Sequence, residues 1–270
     1  PPSKKSLYWR LLGAMQQLQS NNIDIYHGLT NQLPRSIRRL NIPLVITIHD
    51  LYYLHYPELC RNDLGKKDDL SKLDRQIKEA CNRSDKIIAV SESTKNDIVD
   101  QFSVSPDKVT VIYQSCDPDY FDRITEEKRV AIRLKYALPE RYLMYVGSMT
   151  ERKNLLAIVK ALELIPISER LPLVVIGART AYTDVVVNYA MKRGLDNWLI
   201  FPNSVKNKDM PAIYQGADIF LYTSLYEGFG IPVLEALVSG VPVVTSNISA
   251  LPEAAGPNSR LVNPTDVESI

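Results

Sequence analysis

The sequence predicts an α/β fold with two doubly wound parallel sheets, and three observations support that prediction. Short apolar runs recur along the chain, helical patterns alternate with them, and a polar segment separates two sets of runs. Near-continuous apolar runs are typical of parallel strands that are covered on both faces. Repeated strand–helix–strand order is typical of α/β domains.

Ten segments are predicted as strands, four in a first set and six in a second. The first set comprises 23–27, 43–49, 86–90 and 108–113. The second set comprises 142–147, 172–177, 198–202, 218–224, 242–246 and 260–263. Each set is large enough for one sheet, so the chain is expected to form two domains.

The helices between these strands have recognisable signals. Apolar residues at helical spacing predict a helix over 68–83. Thr94 with Asp97 resembles a capping box, which predicts a helix that begins there and ends near Phe102. Asn154 is the predicted cap of the helix that follows the first strand of the second set.

The polar segment 114–129 separates the two strand sets and predicts a domain boundary near residue 117. The predicted domains are therefore 1–116 and 117–270. Two doubly wound sheets that face each other would place the carboxyl ends of their strands, and hence a ligand, in the cleft between them. The chain lacks an initiator Met, so we expect it to be part of a longer protein.

Composition excludes several classes of protein. Lys and Arg number 32 and Asp and Glu 31, and this net charge of +1 is far from that of a nucleic-acid binder. Three widely spaced cysteines, Cys60, Cys81 and Cys116, contain no C-x-x-C pair and indicate a reducing, cytoplasmic setting. No apolar stretch approaches the roughly 20 residues that span a bilayer.

The most informative stretch is 222–247. Glu227 lies in a glycine-rich loop directly after a predicted strand, and Glu235 follows eight positions later. Pro232 fits the first position of a helix and Gly240 its exit, which places Glu235 near the first turn. Free N–H groups at such a helix start favour phosphate, and the glycines allow a ligand to approach the backbone closely.

The string E-G-F-G-I-P-V-L-E resembles the E-x₇-E motif of retaining GT-B glycosyltransferases of the family 4 type. The resemblance implies two Rossmann-like domains, an acceptor-side domain that is incomplete over 1–116 and a nucleotide-sugar domain over 117–270 without its last helices. It also implies that Glu227 lies by the donor sugar and that Glu235 binds the ribose. The other implied donor contacts are Gly228, Phe229, Gly230, Val233 and Leu234.

A second match is Y-V-G-S-M-T-E-R-K-N-L at 145–155, where Arg152 and Lys153 stand just before a helix. Two cations there would neutralise a departing diphosphate. In the family an Arg follows the glycine and a Lys comes several residues later. Lys153 matches the Lys, whereas Ser148 occupies the arginine position, so Arg152 is the candidate to replace it.

The candidate acceptor-side residues lie in or near the first set of predicted strands. His49 ends a predicted strand and resembles the family's histidine over the reacting sugar. His27 is a weaker acceptor-side candidate. The aromatic loop that includes Tyr52 either stacks on an acceptor sugar or packs beneath the loop.

Three weaker signals complete the analysis. Val205, in F-P-N-S-V, resembles the contact beside the nucleobase. Asp117-x-Asp119 looks like a metal-binding D-x-D motif, but a turn at the domain linker is the preferred interpretation, so no metal or other cofactor is expected. Arg35, Arg38 and Arg39 form either a contact to anionic lipid at a membrane surface or a solvated helix face.

The predicted function is transfer of a hexose from a nucleoside-diphosphate sugar to a glycan or lipid-linked acceptor, with retention of anomeric configuration. The predicted catalytic residues are His49, Lys153 and Glu227. Two alternatives stay open. One is another enzyme of this architecture, such as a nucleotide-sugar epimerase or a phosphorylase. The other is a non-catalytic module that binds nucleotide sugars.

Overall fold

The computed structural model describes residues 23–34, 37, 41–64 and 69–270. The arginine cluster (Arg35, Arg38 and Arg39) and the segment before residue 23 lie outside these residues. The chain divides into two compact units, 1–113 and 114–270. Each unit contains one parallel sheet.

The described residues of the first unit form four parallel strands in the order β1-β2-β3-β4. The strands are β1 (Tyr26–Gly28), β2 (Leu44–Ile48), β3 (Lys86–Ala89) and β4 (Val109–Val111). The helices are α1 (Tyr52–His55), α2 (Pro57–Leu64), α3 (Asp69–Arg83) and α4 (Glu92–Phe102). Apolar side chains of β2 and β3 pack against α3 and α4 and form the core of this unit.

The second unit contains six parallel strands in the order β10-β9-β8-β5-β6-β7. These are β5 (Leu143–Val146), β6 (Leu173–Ile176), β7 (Leu199–Ile200), β8 (Ile219–Tyr222), β9 (Val243–Ser246) and β10 (Arg260–Val262). Counted from β5, this is the 3-2-1-4-5-6 order of the Rossmann fold. Its switch point, where the strand order reverses, lies between β5 and β8.

The second unit contains six helices, of which the first precedes β5 and the other five connect successive strands. They are α5 (Glu126–Lys135), α6 (Leu155–Leu164), α7 (Ala181–Lys192), α8 (Met210–Tyr214), α9 (Ile231–Val238) and α10 (Leu251–Ala255). Side chains of β5, β6 and α6 form a continuous buried core. The continuous apolar strand runs therefore reflect burial on both faces, as predicted.

All ten predicted strands are confirmed, although most are shorter than predicted. Many of the residues at the run ends are Pro, Gly, His or polar, but apolar ones such as Val90 and Ile112 also lie outside the strands. At 198–202 only Leu199–Ile200 is strand, because a short 3₁₀ turn over Asp196–Trp198 precedes it. The prediction of two parallel α/β sheets is confirmed.

The predicted capping box at Thr94 is wrong in position. Ser91 is the N-cap of α4, and its hydroxyl accepts a hydrogen bond from Thr94 N at 3.0 Å. The cap therefore lies three residues before the predicted one, and the helix begins at Glu92. Asp97 instead lies 2.8 Å from His55 Nε2, which connects α4 to α1.

Candidate functional site

Two connections of the second unit begin at the switch point of its sheet. Gly147 and Ser148 follow β5, and the loop that contains Glu227 follows β8. Because all strands are parallel, their carboxyl ends lie on the same edge of the sheet. In open α/β sheets ligands bind outside this edge, at the switch point.

Glu227 and two cations form a compact charged cluster at this edge. Glu227 Oε1 lies 2.7 Å from Lys153 Nζ and 3.1 Å from Arg152 Nη1. The side chains of Glu227 and Lys153 are only 11% and 12% exposed, so solvent screens the pair little. Lys153 and Glu227, which the resemblance assigns to one donor site, are therefore in direct contact.

Opposing effects determine the charge state of Glu227. Burial by itself raises the pKa of this carboxyl, but Lys153 and Arg152 outweigh burial and hold the pKa below its ordinary value. Glu227 is therefore ionised at neutral pH. Its backbone is fixed as well, since Glu227 N donates to Ser249 Oγ at 3.1 Å.

Arg152 contacts the loop that carries Glu227 at three points. Its carbonyl accepts from Leu225 N at 2.9 Å, and its Nη1 donates to Tyr226 O at 2.7 Å. The third contact is the ion pair with Glu227. These contacts join the β5 connection to the β8 connection. In the structure Arg152 therefore supports the loop, and its predicted contact with the diphosphate stays a prediction.

Asn154 performs a different task from the predicted one. It precedes α6, but its side chain makes no cap hydrogen bond and its backbone is left-handed, with φ of 59°. Instead, Asn154 Nδ2 donates to Thr223 O at 3.0 Å and to Pro264 O at 2.8 Å. The residue thus connects the segments that follow β5, β8 and β10.

A cavity of about 720 Å³ opens at the same edge of the sheet, and Glu235 is part of its wall. The residues predicted to contact the nucleotide include Val205, which also lines this cavity. Further lining residues are Asp117, Asp119, Tyr120, Gly147, Ser148 and Lys208. A Cβ atom placed on Gly147 would lie 3.8 Å from Lys153 Cδ, so the charged cluster adjoins the cavity there.

Glu235 lies in the second turn of α9 rather than near its first turn, because the helix begins at Ile231. Tyr214 Oη donates to Glu235 Oε2 at 2.9 Å. Burial raises the pKa of Glu235, and hydrogen bonds from Tyr214 and Tyr120 only partly offset that effect. No cation neutralises this carboxylate among the hydrogen bonds and ion pairs of the described residues.

The start of α9 is built by Gly230. Its φ is 119°, and a Cβ there would lie 2.9 Å from Leu251 Cδ2, so only glycine fits. Val233 N and Leu234 N both donate to Gly230 O, at 2.9 and 3.4 Å. These two amides are thus already bonded within the helix, and the Val233 side chain is buried in the core. Neither amide is therefore an open donor in this structure, and their predicted contact with the diphosphate stays a prediction.

The two other predicted donor residues of this loop are buried. Gly228 and Phe229 are part of the connection between β8 and α9, and the Phe229 ring is 7% exposed. Phe229 therefore contributes apolar packing to the loop. Because the Phe229 ring is buried and Gly228 has no side chain, a donor would contact these residues through their backbone.

The predicted acceptor residues lie in the first unit. His49 follows β2, its N–H donates to Asn31 Oδ1 at 2.8 Å, and its Nε2 lies 2.9 Å from Leu29 O. His27, in β1, lies 2.8 Å from Thr47 Oγ1. His27 thus lies within the β1–β2 pair, and His49 follows the carboxyl end of β2, as predicted.

Two tyrosines of the aromatic loop pack against the core of the first unit, and stacking of Tyr52 on an acceptor sugar stays a prediction. Tyr53 is buried and its hydroxyl donates to Asp74 at 3.0 Å, so it packs beneath the loop. Tyr52 is half-buried at the start of α1 and packs on the edge of the core. Tyr52 N also donates to Asp50 Oδ1 at 3.3 Å.

The D-x-D sequence forms a turn, as preferred. Asp117 Oδ1 accepts a hydrogen bond from Asp119 N at 3.0 Å and caps the short 3₁₀ helix Pro118–Tyr120. Among the described residues no group of three His, Cys, Asp or Glu side chains is arranged to hold a metal ion. No helix within the described ranges has the length and apolarity needed to cross a membrane.

Sequence reasoning missed the tyrosines that surround both glutamates. Tyr214 and Tyr120 lie beside Glu235, and Tyr222 lies beside Glu227. Each occupies an apolar-looking position in a strand, helix or turn, so periodicity classed them as core. Their hydroxyls reach the carboxylates only because segments that are distant in sequence pack together.

Two family descriptions match the chain. "Glycosyl transferases group 1" matches residues 128–270 and "Glycosyltransferase Family 4" matches residues 1–120. Among curated relatives, O-antigen chain mannosyltransferase B of Escherichia coli is 32% identical over 249 residues, which are 91% of this chain and 63% of that protein. O-antigen chain mannosyltransferase RfbU of Salmonella typhimurium is 27% identical over 84% of this chain and 60% of its own length.

Solved structures show the same fold at low sequence identity. Anabaena HepE, solved in complex with UDP, superposes with a TM-score of 0.77 at 17% identity, covering 95% of this chain and 69% of that chain. Sucrose-phosphate synthase of Thermosynechococcus elongatus superposes with a TM-score of 0.78 at 18% identity, covering 100% of this chain and 69% of that chain. This chain thus spans about three fifths of the two mannosyltransferases and about two thirds of these structures.

Proposed function

This chain belongs to the group 1 glycosyl transferases and has the GT-B fold, and from that premise we propose that it transfers a hexose from a nucleoside-diphosphate sugar to a glycan or lipid-linked acceptor. The observation that carries the proposal is one juxtaposition. A buried Lys153–Glu227 ion pair adjoins a cavity that contains Glu235, at the switch point of a Rossmann sheet.

The cavity is the proposed site of the nucleotide. Its size suits a nucleoside diphosphate, since ligand pockets measure roughly 300–1,000 Å³. Glu235 would accept hydrogen bonds from the ribose hydroxyls, and Val205 would contact the base. Structural neighbours with this fold bind UDP and UDP-glucose, which supports a nucleotide-sugar donor.

Lys153 is the proposed partner of the departing diphosphate. Breaking the bond between the anomeric carbon and the diphosphate oxygen leaves negative charge on that oxygen. A buried ammonium beside it stabilises the transition state more than the ground state, because the charge develops only as the bond breaks. A resident cofactor is not required by this chemistry, and we propose none.

Glu227 and His49 are the proposed sugar-positioning groups of the two units. The Glu227 carboxylate is ionised and accepts hydrogen bonds, so it suits the hydroxyls of the donor sugar. The acceptor oxygen would attack the anomeric carbon on the face that the diphosphate leaves, which retains the anomeric configuration. Similarity to O-antigen mannosyltransferases supports mannose as the first sugar to test.

The first experiment is thermal denaturation of the full-length protein with UDP, GDP, ADP and their sugar conjugates. A ligand at 100 times its Kd stabilises a protein by about 2.7 kcal/mol. One base should raise the Tm, and Glu235→Ala should lose most of that rise. Lys160→Ala is the matched control, since Lys160 lies over the Tyr189 ring and outside the cavity.

A transfer assay with the stabilising donor then separates the enzyme from its alternatives. Release of nucleoside diphosphate together with a glycosylated acceptor supports the proposal. Binding without release or transfer indicates the non-catalytic module. A folded protein whose Tm responds to no nucleotide contradicts the assignment of the cavity.

A further inference from the structure

Tyr222 joins the two charged groups of the site. It is the last residue of β8 and is fully buried. Its phenol oxygen lies 3.2 Å from Glu227 Oε1 and also accepts a hydrogen bond from Lys153 Nζ. Since Lys153 Nζ itself lies 2.7 Å from Glu227 Oε1, the three polar atoms contact one another pairwise.

The direction of these hydrogen bonds follows from the donors available. An ammonium group only donates, and a phenol carries one proton besides its lone pairs. The Tyr222 oxygen therefore accepts from Lys153 and directs its own proton to the Glu227 carboxylate. Burial and the nearby Glu227 raise the pKa of Tyr222 well above its ordinary value, so the phenol keeps that proton.

The phenol is anchored more firmly than the groups it contacts. β8 lies between β5 and β9 in the sheet, and Thr245 Oγ1 donates to Tyr222 O at 2.7 Å. The Tyr222 ring stacks on Phe220 with 5.8 Å between the two centroids. Lys153 Nζ lies 4.9 Å from the centroid of the Tyr222 ring. Lys153 and Glu227, in contrast, belong to connections that follow the strands.

We infer that Tyr222 is a positioning residue for the proposed transfer, fixing Lys153 and Glu227 relative to each other while donor is bound. This inference rests on the proposed function. Two of the three Lys153 N–H donors bond Glu227 and Tyr222. With the phenol bonded to both groups, the ammonium and the carboxylate keep their spacing when a phosphate oxygen binds Lys153.

The test compares Tyr222→Phe with Tyr142→Phe in the full-length protein. Both changes remove one buried hydroxyl from the second unit, but Tyr142 donates to Ile213 O at 2.6 Å and does not line the nucleotide cavity. For Tyr222→Phe we expect kcat to fall about tenfold, as for loss of one hydrogen bond to a charged group. The Kd for the nucleoside diphosphate should stay unchanged. Tyr142→Phe should leave kcat unchanged.

The outcomes separate this inference from the function on which it rests. Wild-type kcat in Tyr222→Phe overturns the inference while the transferase proposal stands. Equal losses of kcat in the two variants also overturn it, because they indicate a general effect of losing a buried hydroxyl. A wild-type protein that transfers no sugar overturns the proposed function and this inference together. Melting curves with bound nucleotide establish that each variant is folded.

Discussion

Glu227 and Glu235 are eight residues apart, yet their surroundings differ. Glu227 contacts two cations and is nearly inaccessible, and the net effect of its surroundings is to lower its pKa. Glu235 contacts tyrosine hydroxyls in the wall of a cavity, and burial raises its pKa. The two carboxylates of one sequence motif therefore have opposite electrostatic roles.

The difference shows how each glutamate affects stability. An ionised carboxylate between buried cations is part of a charge network, and its removal leaves uncompensated charge. A carboxylate that is partly buried among hydroxyls loses hydration without gaining a cation, so its charged form is destabilised until a ligand contacts it. Glu227 should accordingly support the folded site, whereas Glu235 should cost stability in the free protein and contribute to binding.

The largest expected effect is that of Glu227→Gln on stability. The substitution leaves Lys153 and Arg152 without their carboxylate, and breaking such a buried pair costs about 3–5 kcal/mol. The folded-state pKa of Glu227 lies below its ordinary 4.5, so the wild-type advantage is complete above that pH and is lost as pH falls through the folded pKa. Denaturant unfolding of both proteins from pH 7 to pH 3 measures this difference.

Convergence of the two unfolding curves in acid supports the charge network. A constant difference over the whole pH range would show that Glu227 acts through shape alone. Glu163→Gln serves as control, because that carboxylate also bonds an arginine and a tyrosine but lies outside the site.

The next effect concerns catalysis by the same cluster. Lys153→Ala removes the proposed partner of the departing diphosphate, and loss of such a group is expected to lower kcat by about 10²–10³-fold. Steady-state transfer rates at saturating donor provide the measurement. Lys160→Ala is again the matched control. Full activity in Lys153→Ala would contradict the assignment of the leaving-group partner.

Two smaller effects are expected for Glu235→Gln: weaker binding of nucleotide and higher stability of the free protein. Hydrogen bonds to a charged group contribute about 1.5–3 kcal/mol, so the nucleotide Kd should rise roughly 10–100-fold. The raised folded-state pKa of Glu235 means that ionisation costs stability as pH rises above its ordinary 4.5. The free variant should therefore melt at a higher temperature than wild type at pH 7.

Calorimetric titration and melting curves of the same samples test both parts. A variant that binds more weakly and also melts lower would remove the contrast between the two glutamates. In that case Glu235 would be part of the structural framework, as Glu227 is.

Much of the fold was predictable because parallel strands leave a direct signal. The ten apolar runs and the punctuation by Pro232 and Gly240 correspond to the observed strands and to α9. The grouping of Lys153 with Glu227 followed from the resemblance and from the parallel sheet. The boundary near residue 117 lies close to the division between residues 113 and 114.

The remaining features depend on contacts between distant segments. Asn154 carries the residue type of a helix cap, but two carbonyls, one of them 110 residues away, bind its amide. Thr94 and Asp97 fit a capping box, yet Ser91 occupies the cap. Tyr222 looks like one more apolar strand residue until β5 brings the connection with Lys153 beside it. One-dimensional patterns report burial, not which partner a buried polar atom meets.

The position of β5 has a consequence for how the chain emerges from the ribosome. β5 pairs with β6 on one side and with β8 on the other, and Tyr142 N donates to Asp218 Oδ2 across 76 residues of sequence. Synthesis at 5–20 residues per second therefore delivers β8 about 4–15 s after β5. Until then β5, an apolar strand of Leu143–Val146, has one open edge, which a nascent chain must keep from pairing with its neighbours on a polysome.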